Sequence, residues 1–166
     1  MTKDCVAWGA GKYSSLPAWS AWIVHVPAPL HPTPAGDGAV VATLLPSKNY
    51  FYAIRIHGAF SLIMTRAIPI QFLPYPPLSQ LTPIQSVFSY SNVTGTAVDI
   101  RSPAFVAGIN QVAHHYHFVS DDLKGGGHAL SFTTGQVVVS IQTLRRYELV
   151  LPGDELFQKA TLPFVQ

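Results

Sequence analysis

Residues 50–65 read YFYAIRIHGAFSLIMT: two aromatic and β-branched runs, Tyr50–Ile56 and Ala59–Thr65, meeting at His57-Gly58. Such side chains pack well on a pleated surface, and a glycine between two such runs is a turn signal. A β-hairpin is the expectation here. Working outward, Ser86–Tyr90, Val93–Ile100, His114–Ser120, Gly127–Phe132 and Gln136–Gln142 share that character. They are punctuated by Asn92, Gly95, Asp121-Asp122, Gly125–Gly127 and Thr134-Gly135, all turn formers. Val40–Leu45 and Tyr147–Leu151 read as two further short strands, and Leu78–Gln85 as a short helix that Pro83 would break. The predicted fold class is a β-rich α+β domain, a curled mixed or antiparallel sheet or barrel-like unit with few short helices.

The chain divides near residue 45. Before it lie all three tryptophans (Trp8, Trp19, Trp22) and the Pro-rich Val26–Pro34, which has neither period 2 nor period 3.6. Closely spaced prolines favour an extended path and withhold ladder donors, so residues 1–44 are expected to be loop or weakly ordered and 45–166 to form the domain. Charge is scarce: ten Lys+Arg and eight Asp+Glu make only 11% of the 166 residues, while 48% are hydrophobic. That mix excludes a disordered tail or a coiled coil. A net charge of +2, with its basic residues scattered, argues against a nucleic-acid partner. Cys5 is the only cysteine, so no intrachain disulfide can form. No run approaches the roughly 18–20 apolar residues that cross a bilayer. The apolar Leu16–Val26 is followed by prolines where a signal peptide would carry small residues, and a cytoplasmic location is expected.

Histidine is the unusual component. His114, His115, His117 and His128 fall within 15 consecutive residues. Side chains two apart in a strand share a face, which groups His115 with His117 and sets His114 with Tyr116 on the other side. A turn-rich segment, Ser120–Gly127, follows, and an antiparallel return would bring His128 back to the pair. Three neutral imidazoles with a fourth position open form the pattern of a catalytic zinc site, although imidazole also suits nickel, copper and iron. The bland alternative is a set of unrelated hydrogen-bonding histidines. A third histidine beyond a turn, in a chain poor in polar groups, favours the metal. His114 is expected to be structural or at the surface, and Asp121 and Asp122 to serve the turn. A cupin-type site is disfavoured, because Pro152-Gly153 has no histidine after it.

Four stretches, LPSKNYFYAIRIHGAFSLIMTRAIPIQFLPYPPL (45–78), VTGTAVDIRSPAFVAGIN (93–110), HYHFVSDDLKGGGHAL (115–130) and ELVLPGDELF (148–157), together resemble the alpha-acetolactate decarboxylase family. The resemblance implies a fold like that family's metal-binding half, with His115, His117 and His128 as ligands of Zn2+ and Arg66 as the active-site arginine. It implies decarboxylation of (S)-2-acetolactate, a 2-hydroxy-3-oxo acid, to (R)-acetoin and CO2. It also implies departures. Residues 1–44 do not resemble the family's N-terminal part, and the chain is expected to be truncated at both ends. The only glutamates, Glu148 and Glu155, lie outside the places where the family carries its active-site pair. Ala113-His114 stands in place of a Gly-aromatic pair, and His57, Leu123 and Ser131 replace an aspartate, a basic residue and an aspartate. The other reading is therefore a non-catalytic or partial homologue that keeps the three-histidine site as a binding module. A missing packing partner would leave open an apolar face that recruits a partner or causes aggregation, a homodimer being one such outcome.

Overall fold

The computed structural model describes residues 22–26, 39–72 and 75–161. In chain order they form β1 (Trp22–Val26), α1 (Ala39–Thr43), β2 (Phe51–Ala67), α2 (Leu78–Leu81), β3 (Ser86–Arg101), β4 (Tyr116–Ser120), β5 (Gly126–Leu144) and α3 (Glu155–Lys159). The strands make one antiparallel sheet in the order β1-β5-β2-β3-β4, and β4 pairs again with the start of β5. The sheet thus curls until β5, β2, β3 and β4 close on one another at one end. Among the described residues no helix is long and apolar enough to cross a membrane.

The expected hairpin at His57-Gly58 is corrected: both runs belong to β2, a single strand of 17 residues. The runs around Asn92 fuse into β3, and those around Thr134-Gly135 into β5. One physical reason covers all three. Phe60 lies opposite Val93 on one side and Thr134 on the other, so the three breakers fall along one line across the sheet. There the strands bulge instead of turning: β2–β5 register shifts between Gly58 and Phe60 and again before Leu62, and Asn92 takes φ 54°. A bulge adds a residue and moves later side chains to the other face. Accordingly Tyr52, Ile54, Ile56 and Phe60 point inward before the line, and Ile63 and Thr65 after it. Gly58, at φ 143°, has no room for a side chain, since a Cβ would lie 2.4 Å from the Gln136 carbonyl oxygen.

The core fills the inside of this curl. Phe60 packs edge-on against Phe118 and Phe132 at centroid distances of 5.0 and 5.6 Å, and Tyr116 against Phe132 at 5.2 Å. Ile54, Ile56, Ile63, Val137, Val139 and Ile141 complete it. Full burial of each such side chain contributes about 1.5–3 kcal/mol.

Three smaller expectations are corrected. Val40–Leu45 is not a strand; Ala39–Thr43 is helical and drops Val41 onto the core, fully buried. Tyr147–Leu151 pairs with no strand of the described residues, and Tyr147 instead stacks on Phe51 at 5.1 Å. The reading of 1–44 as loop fails at Trp22–Val26, which pairs with Ile141–Val137 of β5, and at α1. Residues 1–21 and 27–38, with Trp8, Trp19 and most of the Pro-rich stretch, lie outside the described residues. The helix at Leu78 forms, and Pro83 converts its continuation into a 3-10 turn, Thr82–Ile84.

Backbone strain supplies two tests. Gly58→Ala combines positive φ with a collision against main chain, and it is expected to lower unfolding free energy by at least about 2 kcal/mol in urea titration. Ala113 sits at φ 60° in a two-way backbone pairing with Ser102. Ala113→Gly is expected to raise stability by about 1 kcal/mol, and an unchanged urea midpoint would contradict the strain.

Candidate metal centre

The alternation expected of His115 and His117 is present. Tyr116 and Phe118 are buried in the core, and His117 faces outward with His115 just ahead of β4. His114 turns the other way. Its ring stacks on Tyr116 and its Nδ1 lies 2.5 Å from Asp99 Oδ2, both side chains being almost fully buried.

The turn between β4 and β5 is built by its own polar groups. Asp122 Oδ1 accepts from Ser120 Oγ at 2.6 Å and from the Lys124 N–H at 3.1 Å, while Ser120 Oγ accepts from the Gly125 N–H at 2.9 Å. Those bonds to Ser120 and Lys124 hold the exposed Asp122 carboxyl below the usual carboxylate range. Asp122 therefore serves the turn, while Asp121 Oδ1 lies 3.9 Å from His57 Nδ1. The glycines that follow are required by close approach. A Cβ on Gly126 would sit 2.7 Å from the Phe118 carbonyl oxygen, and one on Gly127, at φ 132°, would sit 2.7 Å from that of Arg66. With side chains absent there, β5 slips between β4 and β2. His128 then falls opposite His117 on one side and opposite Arg66 on the other. Cross-strand partners share a face, so Arg66, His128 and His117 form a row over three strands.

Around that row one nitrogen each of His115, His117 and His128 lies within 4.8 Å of the others. The rings of His115 and His117 are parallel, 5.1 Å apart, with their Nε2 atoms separated by 3.0 Å. The His128 ring stands across them at 71° and 76°, with centroids 4.8 and 5.3 Å away. Tetrahedral Zn–N bonds of about 2.0–2.1 Å place ligand nitrogens about 3.3–3.4 Å apart, so small ring adjustments suffice to share one ion.

Electrostatics favours free lone pairs. Burial lowers the pKa of all three imidazoles, most of all His128, which is pushed down to about 4. The positive charge of Arg66 adds to this in each case, His115 lowers His117 and both lower His128, while Asp99 opposes the shift at His115. At neutral pH the cluster is uncharged, the state in which imidazole binds a cation. Arg66 is steadied by Gln85, whose Oε1 accepts from Nη1 at 3.0 Å. Three neutral nitrogens beside a fixed guanidinium can hold a divalent transition metal, leave a position open, and offer hydrogen bonds to an anionic ligand.

Two contributors escaped the sequence reading. Asp99 was visible only as the one acidic residue of its strand, and Gln85 carried no signal. Glu148 and Glu155 lie elsewhere on the exposed surface, paired with Arg146 at 2.9 Å and with Lys159 respectively.

The profile of the alpha-acetolactate decarboxylase family matches residues 38–163. The enzyme of that name from Methanosarcina mazei is 38% identical over 112 residues, covering 66% of this chain and 39% of the relative. The Bacillus subtilis enzyme is 35% identical over 122 residues, covering 74% and 48%. The chain thus spans about half or less of the length of the curated relatives it matches. The crystal structure of acetolactate decarboxylase from Bacillus subtilis subspecies spizizenii superposes with a TM-score of 0.79 at 31% identity, over 86% of this chain and 61% of that one. A Staphylococcus aureus protein of unknown function, described as similar to alpha-acetolactate decarboxylase, gives 0.76 at 27% identity. With the match running through β2 to β5 and the histidine cluster, the chain belongs to the alpha-acetolactate decarboxylase family.

Proposed function

We propose that this chain carries the metal-binding half of an acetolactate decarboxylase, with His115, His117 and His128 holding zinc and Arg66 binding the substrate. The observation that carries the reading is the convergence of three uncharged imidazole nitrogens beside one guanidinium on the same face of the sheet. The reaction converts (S)-2-acetolactate to (R)-acetoin and CO2. In it the bond from the carboxylate carbon to C2 breaks, CO2 leaves, and the electron pair passes onto the neighbouring carbonyl oxygen as an enediolate. Protonation of carbon completes acetoin. Zinc held by His115, His117 and His128 would supply Lewis acidity to the substrate oxygens that gain this charge. Arg66, fixed by Gln85, donates N–H bonds to the substrate carboxylate and then to the enediolate oxygen, so its charge complements the anion throughout. The three histidines present neutral nitrogens without needing to lose protons first.

The placement of Glu148 and Glu155 supports a second reading. Both are exposed and engaged with neighbouring cations, leaving no glutamate of the described residues at the cluster. Under that reading the chain binds metal without turnover.

Purified protein loaded with zinc is expected to release acetoin from acetolactate. His117→Ala is expected to reduce turnover at least about a hundredfold and to lose most bound metal by elemental analysis. Arg66→Met is expected to keep one metal per chain yet lower kcat/KM by about 10²–10³, as removal of a single charged donor does. Metal bound at full occupancy with no acetoin above background selects the second reading. A folded protein that takes up no metal defeats both.

A further inference from the structure

Asp99 is fully buried on β3, directly opposite Tyr116 of β4, among inward neighbours as apolar as Ala97 and Phe118. A carboxylate in such a place is costly unless its oxygens are satisfied. Here both are. Oδ1 accepts the His115 backbone N–H at 2.6 Å, and Oδ2 lies in hydrogen-bond contact with His114 Nδ1 at 2.5 Å. The β3–β4 pairing ends at Asp99 and Tyr116, so the His115 N–H lies beyond the ladder and has this carboxylate as its acceptor. Upstream, the chain is held at Ala113 by its two backbone bonds to Ser102. Between that bridge and the first residue of β4, one side chain grips both intervening residues, turning His114 inward and His115 outward.

We propose that Asp99 is a positioning residue for the metal centre: through the His115 main chain and the His114 ring it fixes where the His115 nitrogen stands relative to His117 and His128. The inference rests on the metal reading above. It differs from the usual arrangement, in which a carboxylate bonds the free nitrogen of the ligand ring itself. The carboxylate instead orients the ligand through its backbone, using the adjacent histidine as its second anchor.

The test is Co(II) affinity by competition with a chromophoric chelator, together with the visible absorption of the bound Co(II), in wild type, Asp99→Ala and Asp99→Asn. Asp99→Ala is expected to weaken affinity about 10–100-fold and to alter the visible bands. Asp99→Asn keeps the shape and can still accept from His115, but it has one acceptor oxygen for two donors. Its loss is expected to be smaller, about three- to tenfold, with a detectable band shift. If the alanine variant fails to fold, the isosteric Asn variant decides alone. Affinity within twofold of wild type and unchanged bands in the folded variants, even with a lowered melting temperature, would show a packing role only and overturn the proposal. A wild-type protein that binds no Co(II) overturns the metal reading instead, a result plainly different from variants that bind as tightly as wild type.

Discussion

The passage of β5 between β4 and β2 at Gly126-Gly127 is the constraint on which the candidate site depends. Neighbouring strands lie about 4.8 Å apart, and at this point carbonyl oxygens of Phe118 and Arg66 occupy the space that side chains would need. Only glycine allows both approaches, and positive φ at Gly127 sets the direction in which His128 then leaves. The register that follows places His128 beside His117 and Arg66 at once. A side chain at either glycine would push the strands apart and separate His128 from His117. The same closure seals the end of the core, where Phe118, Ala129 and Tyr116 meet. Fold closure and site assembly are therefore one event.

The assembled cluster is electrostatically poised. Three imidazoles and a guanidinium in proximity cannot all carry charge, and half-burial decides that the rings give theirs up. A cation entering the cluster would meet three imidazoles that carry no charge and one positive charge at its side, with Arg66 turned to Gln85. An ion held there would favour the folded chain over the unfolded one and so stabilise the closed sheet.

Much of the strand content was legible in local sequence, because aromatic and β-branched runs of five to eight residues have few other uses in a chain this poor in charge. The error lay in the punctuation. Gly58, Asn92 and Thr134-Gly135 carry the chemistry of turns, and a bulge asks for the same residues as a turn does. What distinguishes them is whether the flanking segments pair with each other or with third strands, and that information is not local. Trp22–Val26 was hidden for a related reason: it is a strand only because the edge of β5 is there to receive it. Val41 shows the converse, a β-branched run drawn into a helix by a place in the core.

By itself the sequence determined the parity of His115 and His117, the turn that follows them and the glycines ahead of His128, since alternation and backbone permissiveness are properties of neighbours along the chain. Tertiary structure alone decided that Arg66 joins their row, that Gln85 steadies it, and that Asp99 reaches both His114 and the His115 N–H. These partners lie from 15 to 62 residues apart in sequence, taking His114 from Asp99 and His128 from Arg66. Nothing in local composition encodes such separations. They are set by the register of long strands folded across a common line of bulges, where a one-residue slip would turn every one of these side chains to the other face.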